Sequence, residues 1–188
     1  MTGLKRALLG AVFLFSATAA DAQGPARDPE NTLFMDLKDG RVVIELRPDL
    51  APKHVEQIKT LVRRGFYDNT PFHRVIDGFM AQGGDPTGTG TGGSDLPNIP
   101  AEFSTSAKFL RGTVGMARAQ DPNSANSQFF IMFAPAPFLD GQYTIWGRVV
   151  QGMEFVDRIK RGDRNRNGVV APPPDRILRL RVAADVRE

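Results

Sequence analysis

TLFMDLKDGRVVIEL, from Thr32 to Leu46, alternates apolar and polar positions on either side of a turn. Leu33, Met35 and Leu37 share one face opposite Phe34 and Asp36. Lys38-Asp39-Gly40 supplies the turn, and Val42, Ile44 and Leu46 resume the apolar face opposite Val43 and Glu45. A period of two, broken once by a glycine-containing turn, predicts a β-hairpin. Downstream the period changes. Ala51 to Arg64 places Val55, Ile58, Leu61 and Val62 at three- and four-residue spacing, with Pro52 suited to a first turn and Gly65 to an end, so an amphipathic helix is expected there. Short apolar runs follow at Thr113–Met116, Phe129–Phe133, Thr144–Val149 and Ile177–Val182, separated by glycine, proline and asparagine. Met153–Arg161 reads as a second helix through Met153, Val156 and Ile159. Short strands with turns between them and only two helices predict a mainly β protein, a closed or nearly closed barrel.

The chain has 188 residues, 41% hydrophobic and 24% charged, enough for one well-filled core and too few for two generous domains. With 24 Lys plus Arg against 21 Asp plus Glu, the formal charge is +3, and the basic residues are scattered except from Arg158 to Arg166. Nucleic-acid binding usually needs a basic stripe with stacking aromatics. No nucleic-acid partner is therefore expected, and the basic segment reads as a solvated face. Residues 1–22 read as a cleaved secretory signal. Lys5 and Arg6 form a positive start, Ala7 to Phe15 is an apolar run, and Ala20-Asp21-Ala22 has the small-x-small pattern of a cleavage site before Gln23. The run is short for a bilayer span, which takes about 20 apolar residues, so no stable membrane insertion is expected. Cysteine is absent, which excludes a disulfide framework and a lipid-modified cysteine. Residues 23–31 read as a flexible polar lead-in and residues 32–188 as one domain. The mature chain is expected to be an exported monomer, periplasmic if its source is Gram-negative.

Two segments hold the residues that could do chemistry. FHRVIDGFMAQGGDPTGTGTGG, Phe72 to Gly93, sets Arg74 beside Phe79, Met80 and Gln82 and continues into a glycine-rich loop. GMARAQDPNSANSQFFIMFAPAPFLDG, Gly115 to Gly141, adds apolar residues, a second amide at Gln128 and Ala117 in a strand-like context. Together they resemble the cyclophilins, the barrel-shaped peptidyl-prolyl isomerases, over Thr32 to about Val182. FHR, GFM-x-QGGD, SQFF and FLDG in that order are far more specific than any one short motif. The resemblance implies a closed antiparallel β-barrel of about eight strands capped by two α-helices. It also implies prolyl isomerisation without metal or cofactor, on unfolded or extended proline-containing polypeptides. Its active groove would comprise the positions of Arg74, Phe79, Met80, Gln82, Ala117, Phe130, Leu139 and Tyr143.

Rotation about an X–Pro bond meets a barrier of roughly 18–20 kcal/mol and takes tens to hundreds of seconds uncatalysed. Five decades of acceleration require about 7 kcal/mol of preferential transition-state stabilisation. The reaction needs a pocket for the proline ring, an anchor for the flanking backbone, and a fixed donor that favours the pyramidal imide nitrogen. The permanent charge and planar donors of Arg74 suit the last role. Phe79, Met80, Phe130 and Leu139 suit the pocket, although taken alone they also read as core. Gln82 could hold a carbonyl oxygen, Gln128 could support the wall, and backbone groups of Ala117 and Arg118 could pair with an extended peptide.

His73 reads as structural, since no proton is abstracted, and His54 as a surface residue of the first helix. The glycine loop lacks the lysine and following helix of a phosphate loop and reads as a lining of the groove. Asp163 to Gly168 mimics half of a calcium loop, but two arginines intervene and Pro174 replaces the closing glutamate, so a surface turn is expected. Compared with many cyclophilins, Phe138 stands in place of a tryptophan and Tyr143 in place of a histidine. Loss of the indole N–H predicts weak cyclosporin binding, while Tyr143 keeps a ring to pack on proline. Arg118 replaces an asparagine that acts chiefly through its main chain. The alternative function is a proline-peptide-binding module or holdase chaperone with incidental isomerase activity.

Overall fold

The computed structural model describes residues 27–186, and the stretch read as an export signal lies outside them. The hairpin forms as its alternation predicts. Strands β1 (Thr32–Leu37) and β2 (Gly40–Leu46) pair antiparallel, with Phe34 opposite Val43 and Leu37 opposite Gly40. Leu33, Met35, Val42 and Ile44 are fully buried. Just before the hairpin, Pro29–Asn31 form one 3-10 turn capped by the Asp28 side chain. Helix α1 (Pro52–Arg63) then buries Val55, Ile58, Leu61 and Val62.

Six further strands complete the sheet. They are β3 (Arg74–Ile76), β4 (Met80–Gly83), β5 (Thr113–Met116), β6 (Phe129–Met132), β7 (Ile145–Gln151) and β8 (Arg179–Val182). All pair antiparallel in the order β3-β4-β6-β5-β7-β2-β1-β8. The expected closed barrel is therefore open along one seam, because β3 and β8 share no ladder. Isolated bridges span the gap, Pro71 with Arg176 and Arg74 with Val169. Proline has no N–H to donate to a ladder, and the segment approaching β8 carries Pro172, Pro173 and Pro174. A continuous pairing is thus unavailable at the seam.

Two further expectations need correction. The second helix, α2, covers only Met153–Val156. Beyond it Ile159 N–H bonds the carbonyl of Val156 three residues back, and Lys160 N–H goes to the Asp175 carboxylate. His54 is not on the surface but fully buried. Its Nδ1 lies 2.6 Å from Glu102 Oε2, and the same carboxylate accepts the N–H groups of Lys53 and His54. A residue of a distant loop thereby satisfies the start of α1, which has no side-chain cap of its own.

The core divides in two because strand side chains alternate between faces. Val75, Ala81, Phe129, Ile131 and Trp146 point into the barrel. Their strand neighbours Met80, Phe130, Met132 and Ile145 point outward and join Phe109, Ala136 and Leu139 in a second apolar cluster. That outer cluster underlies the candidate site.

Candidate active site

Strand register assembles the site. Arg74 on β3 stands opposite Gln82 on β4, Gln82 opposite Phe130 on β6, and Phe130 opposite Gly115 on β5. These residues form one row across the outer face, with a cation at one end and an apolar floor at the other. A Cβ at Gly115 would sit 2.6 Å from Phe130 Cζ and 2.7 Å from Phe109 Cε1, so only glycine lets those two rings lie over β5.

The Arg74 guanidinium is held from two sides. Nη1 donates to Gln82 Oε1 at 3.1 Å. Nε donates to the backbone oxygen of Asn167 and Nη2 to Asn167 Oδ1, both at 3.0 Å. Arginine has five N–H donors. Three are engaged among the described residues, which leaves one on Nη1 and one on Nη2. Burial lowers the pKa of Arg74, yet a guanidinium keeps its proton in proteins. The result is a half-buried fixed cation with two donors in reserve.

The chain of amides continues away from Arg74. Gln82 Nε2 donates to Gln128 Oε1 at 3.0 Å, and Gln128 Nε2 donates to the carbonyls of Gly90 and Gly92 at 3.0 and 2.8 Å. The glycine loop is in turn gathered around Asp85, whose buried carboxylate accepts the N–H groups of Thr87, Gly90 and Gly92 and the Thr87 hydroxyl. Burial alone would raise the pKa of Asp85, but these donors outweigh it and hold the group down at about 2. Beside this loop lies an open cavity of about 470 Å³ lined by Gln82, Gly90 to Gly93, Ala117 to Ala119 and Gln128, among others.

The apolar wall is similarly ordered. Tyr143 meets Phe130 edge-on with centroids 5.8 Å apart, and Arg118 lies over the Tyr143 ring at 4.6 Å. Phe79 and Phe138 pair at 5.6 Å, with Phe138 69% exposed on the rim and Leu139 buried beneath. Ala117 donates its N–H to the carbonyl of Gln128. Its own carbonyl and the N–H of Arg118 make no hydrogen bond among the described residues and are open to an extended chain. The Arg118 side chain is spent on the carbonyls of Ala119, Gln120 and Gln142.

Every residue assigned to the groove from the sequence thus lies on this face or its rim, and Arg74, Gln82 and Gln128 are joined in a chain of hydrogen bonds. His73 is buried, with no partner for either ring nitrogen among the described residues, and burial lowers its pKa. Sequence reasoning missed Asp85 and Asn167. Asp85 carried a faint signal, a carboxylate opening a run of Thr and Gly whose N–H groups it could collect. Asn167 carried none, because its partner is 93 residues away.

Comparison with known proteins gives a consistent result. Residues 32–182 match the family described as cyclophilin type peptidyl-prolyl cis-trans isomerase/CLD. A probable peptidyl-prolyl cis-trans isomerase of Brucella suis is 54% identical over 198 aligned residues, covering 100% of both chains. The peptidyl-prolyl cis-trans isomerase-like 1 of Gibberella zeae is 47% identical over 71% of this chain and 86% of its own. Among solved structures, a cyclophilin from Hirschia baltica superposes with a TM-score of 0.75 at 30% identity, covering 86% of this chain and 77% of its own. A Cryptosporidium parvum cyclophilin-type isomerase, determined in the presence of the dipeptide Ala-Pro, gives 0.73 at 32% identity over 80% and 98%.

Proposed function

This chain belongs to the cyclophilin-type peptidyl-prolyl cis-trans isomerases and catalyses rotation about X–Pro bonds, and we propose that it does so on unfolded or extended polypeptides outside the cytoplasm, with Arg74 as its catalytic residue. The observation that carries the role of Arg74 is its pair of uncommitted N–H donors on a guanidinium fixed by Gln82 and Asn167. As the bond twists, amide resonance is lost and the prolyl nitrogen turns pyramidal with a localised lone pair. A donor already aimed at that nitrogen stabilises the twisted state more than the planar one, and it needs no reorganisation at the moment of rotation. Met80, Phe130 and Leu139 offer the proline ring an apolar seat, with Phe79 and Tyr143 beside it. The carbonyl of Ala117 offers the flanking chain an anchor. The Ala-Pro dipeptide used with the Cryptosporidium parvum relative supports a proline-containing ligand.

Action outside the cytoplasm rests on the Lys5-Arg6 start, the apolar run to Phe15 and the Ala20-Asp21-Ala22 site. Among the described residues no helix is long and apolar enough to cross a membrane. Slow prolyl isomerisation limits folding wherever chains emerge unfolded, which gives an exported isomerase its task.

The test is cis/trans exchange of a short X–Pro peptide by NMR exchange spectroscopy, using the chain from Gln23 and its Arg74→Ala form. Fast exchange that falls by two to three decades in the variant is expected, about the loss on removing one preorganised donor. A folded parent that binds the peptide without accelerating exchange would overturn catalysis and leave a peptide-binding module. Expression of the full chain in a Gram-negative host should yield a periplasmic product whose mass begins at Gln23, and a cytoplasmic uncleaved product would refute export.

A further inference from the structure

The turn from Asp163 to Gly168, which reads in the sequence as an imperfect calcium loop, is seated against the centre of the site. Its flanks are sewn to β3. Val75 N–H donates to the carbonyl of Gly168, Gly162 N–H to the carbonyl of Val75, and Val170 N–H to the carbonyl of His73. Within the turn, Arg166 and Gly168 both donate their N–H groups to the carbonyl of Asp163, and the Asp163 carboxylate accepts from Asn165 N–H. Arg161 and Arg164 add a tie to Asp77, just beyond β3. A turn so fastened carries Asn167 at a fixed distance from the base of Arg74.

We infer that Asn167 is a positioning residue for catalysis, which clamps the Nε and Nη2 edge of Arg74 and so fixes the plane in which the remaining donors are presented. This rests on the isomerase reading of Arg74. Gln82 alone grips one corner of the guanidinium, at Nη1, and a single contact leaves the group able to swing about it. Asn167 supplies two acceptors, its backbone oxygen and Oδ1, one to each nitrogen of the opposite edge. Two-sided support of a planar group removes that freedom before substrate arrives, and preorganisation of this kind sets the rate of an electrostatically assisted step.

The residue type fits the role on two counts. Asn167 has φ of 53°, in the left-handed region that asparagine and aspartate tolerate better than other side chains. Its side chain is also short enough to bring a carbonyl oxygen alongside its own backbone carbonyl. Glycine would keep the turn and the backbone acceptor while deleting Oδ1, and aspartate would keep the turn and both acceptors.

The experiment compares the parent chain from Gln23 with Asn167→Gly, Asn167→Asp and, as a control in the same turn, Asn165→Ala. On-enzyme exchange and peptide affinity are read by NMR exchange spectroscopy, and the Arg74 Nε–H and Nη signals of ¹⁵N-labelled protein report guanidinium rotation. In Asn167→Gly the on-enzyme rate should fall about tenfold, with affinity within about twofold and faster Arg74 rotation. Asn167→Asp should keep Arg74 rotation as slow as in the parent, and Asn165→Ala should match the parent in rate and rotation. A rate for Asn167→Gly within about twofold of the parent, or Arg74 rotation as fast in Asn167→Asp as in Asn167→Gly, overturns the inference. Should Asn167→Gly fail to fold, the parent decides alone, since slow guanidinium rotation supports the clamp and fast rotation overturns it. A parent that folds but accelerates nothing defeats the isomerase reading instead, while its Arg74 signals still judge the clamp.

Discussion

Replacing Gly115 with alanine tests how the row across the sheet was assembled. The new Cβ would lie 2.6 and 2.9 Å from two carbons of the Phe130 ring and 2.7 Å from Phe109 Cε1. Ordinary carbon contacts lie at roughly 3.5–4.0 Å, so each ring must retreat by about 1 Å. Phe109 has little room, being 1% exposed, and its N–H is tied to the Asp140 carboxylate at 2.8 Å. Phe130 is stacked on Phe109 at 5.7 Å and meets Tyr143 edge-on at 5.8 Å. Any retreat of Phe130 shifts the outer cluster it shares with Met80 and Leu139, the seat proposed for proline. Overpacking of this kind costs about 1–3 kcal/mol. At roughly 2–4 °C per kcal/mol for a domain of this size, the melting temperature should drop by about 2–12 °C. A displacement of about 1 Å at the seat should lower on-enzyme exchange by up to about two decades. Calorimetry and NMR exchange spectroscopy measure the two effects. Adding Phe109→Leu, which opens space beside the new methyl, should return part of the melting temperature. A Gly115→Ala protein with an unchanged melting point and unchanged exchange would refute the claim that Gly115 shapes the floor.

Three further outcomes are expected. Asp85→Asn exchanges an acceptor oxygen for an NH₂ among the N–H donors of Thr87, Gly90 and Gly92. Those amides should gain hydrogen exchange and catalysis should fall severalfold, whereas an unaltered protection pattern would count against the loop anchor. Acid should destabilise the fold. Burial keeps His54 and His73 neutral by lowering both pKa values below the ordinary histidine value of 6.5, with Glu102 facing the first and Asp85 and Arg74 near the second. The unfolded chain then binds more protons, so their contribution is complete above about pH 6.5 and is lost as pH falls through the folded values. Glu102, also lowered because its hydrogen bonds outweigh burial, adds its own loss only below the ordinary glutamate value of 4.5. Urea unfolding at pH 7.5, 6 and 5 would contradict this by giving one constant stability. Finally, Phe138→Trp adds an indole N–H to an exposed rim position. Cyclosporin affinity by calorimetry should rise at least about tenfold with peptide exchange retained, and no gain would show that the missing indole is not what limits binding.

Much of the fold was legible because local backbone geometry imposes a local period. The alternation from Leu33 to Leu46 and the three- and four-residue spacing from Val55 to Val62 each mark one buried face, and both elements form as read. Arg74, Gln82, Phe130 and Leu139 could be chosen because a prolyl rotation demands a fixed donor, an amide and an apolar seat, and two ordered motifs held all of them. The limits appear at His54, whose place on a helix suggested solvent until a glutamate 48 residues away in sequence was brought against it. They appear again at Met153–Arg161, where the apolar spacing continues but the hydrogen bonds leave the helix for Asp175.

The sequence by itself determined the hairpin, four of the six further strands, the first helix and the apolar faces, since each depends on neighbours within a turn or two of chain. The short strands Arg74–Ile76 and Met80–Gly83 carried no period long enough to read. Only the tertiary structure decided that the barrel stays open beside β3, that the glycine loop hangs from Asp85 and Gln128, and that Asn167 grips Arg74. Those outcomes depend on which distant segments the sheet register and the proline-interrupted seam bring into contact. No local period encodes such a meeting, because the hydrogen bonds that create it form only once both segments are already in place.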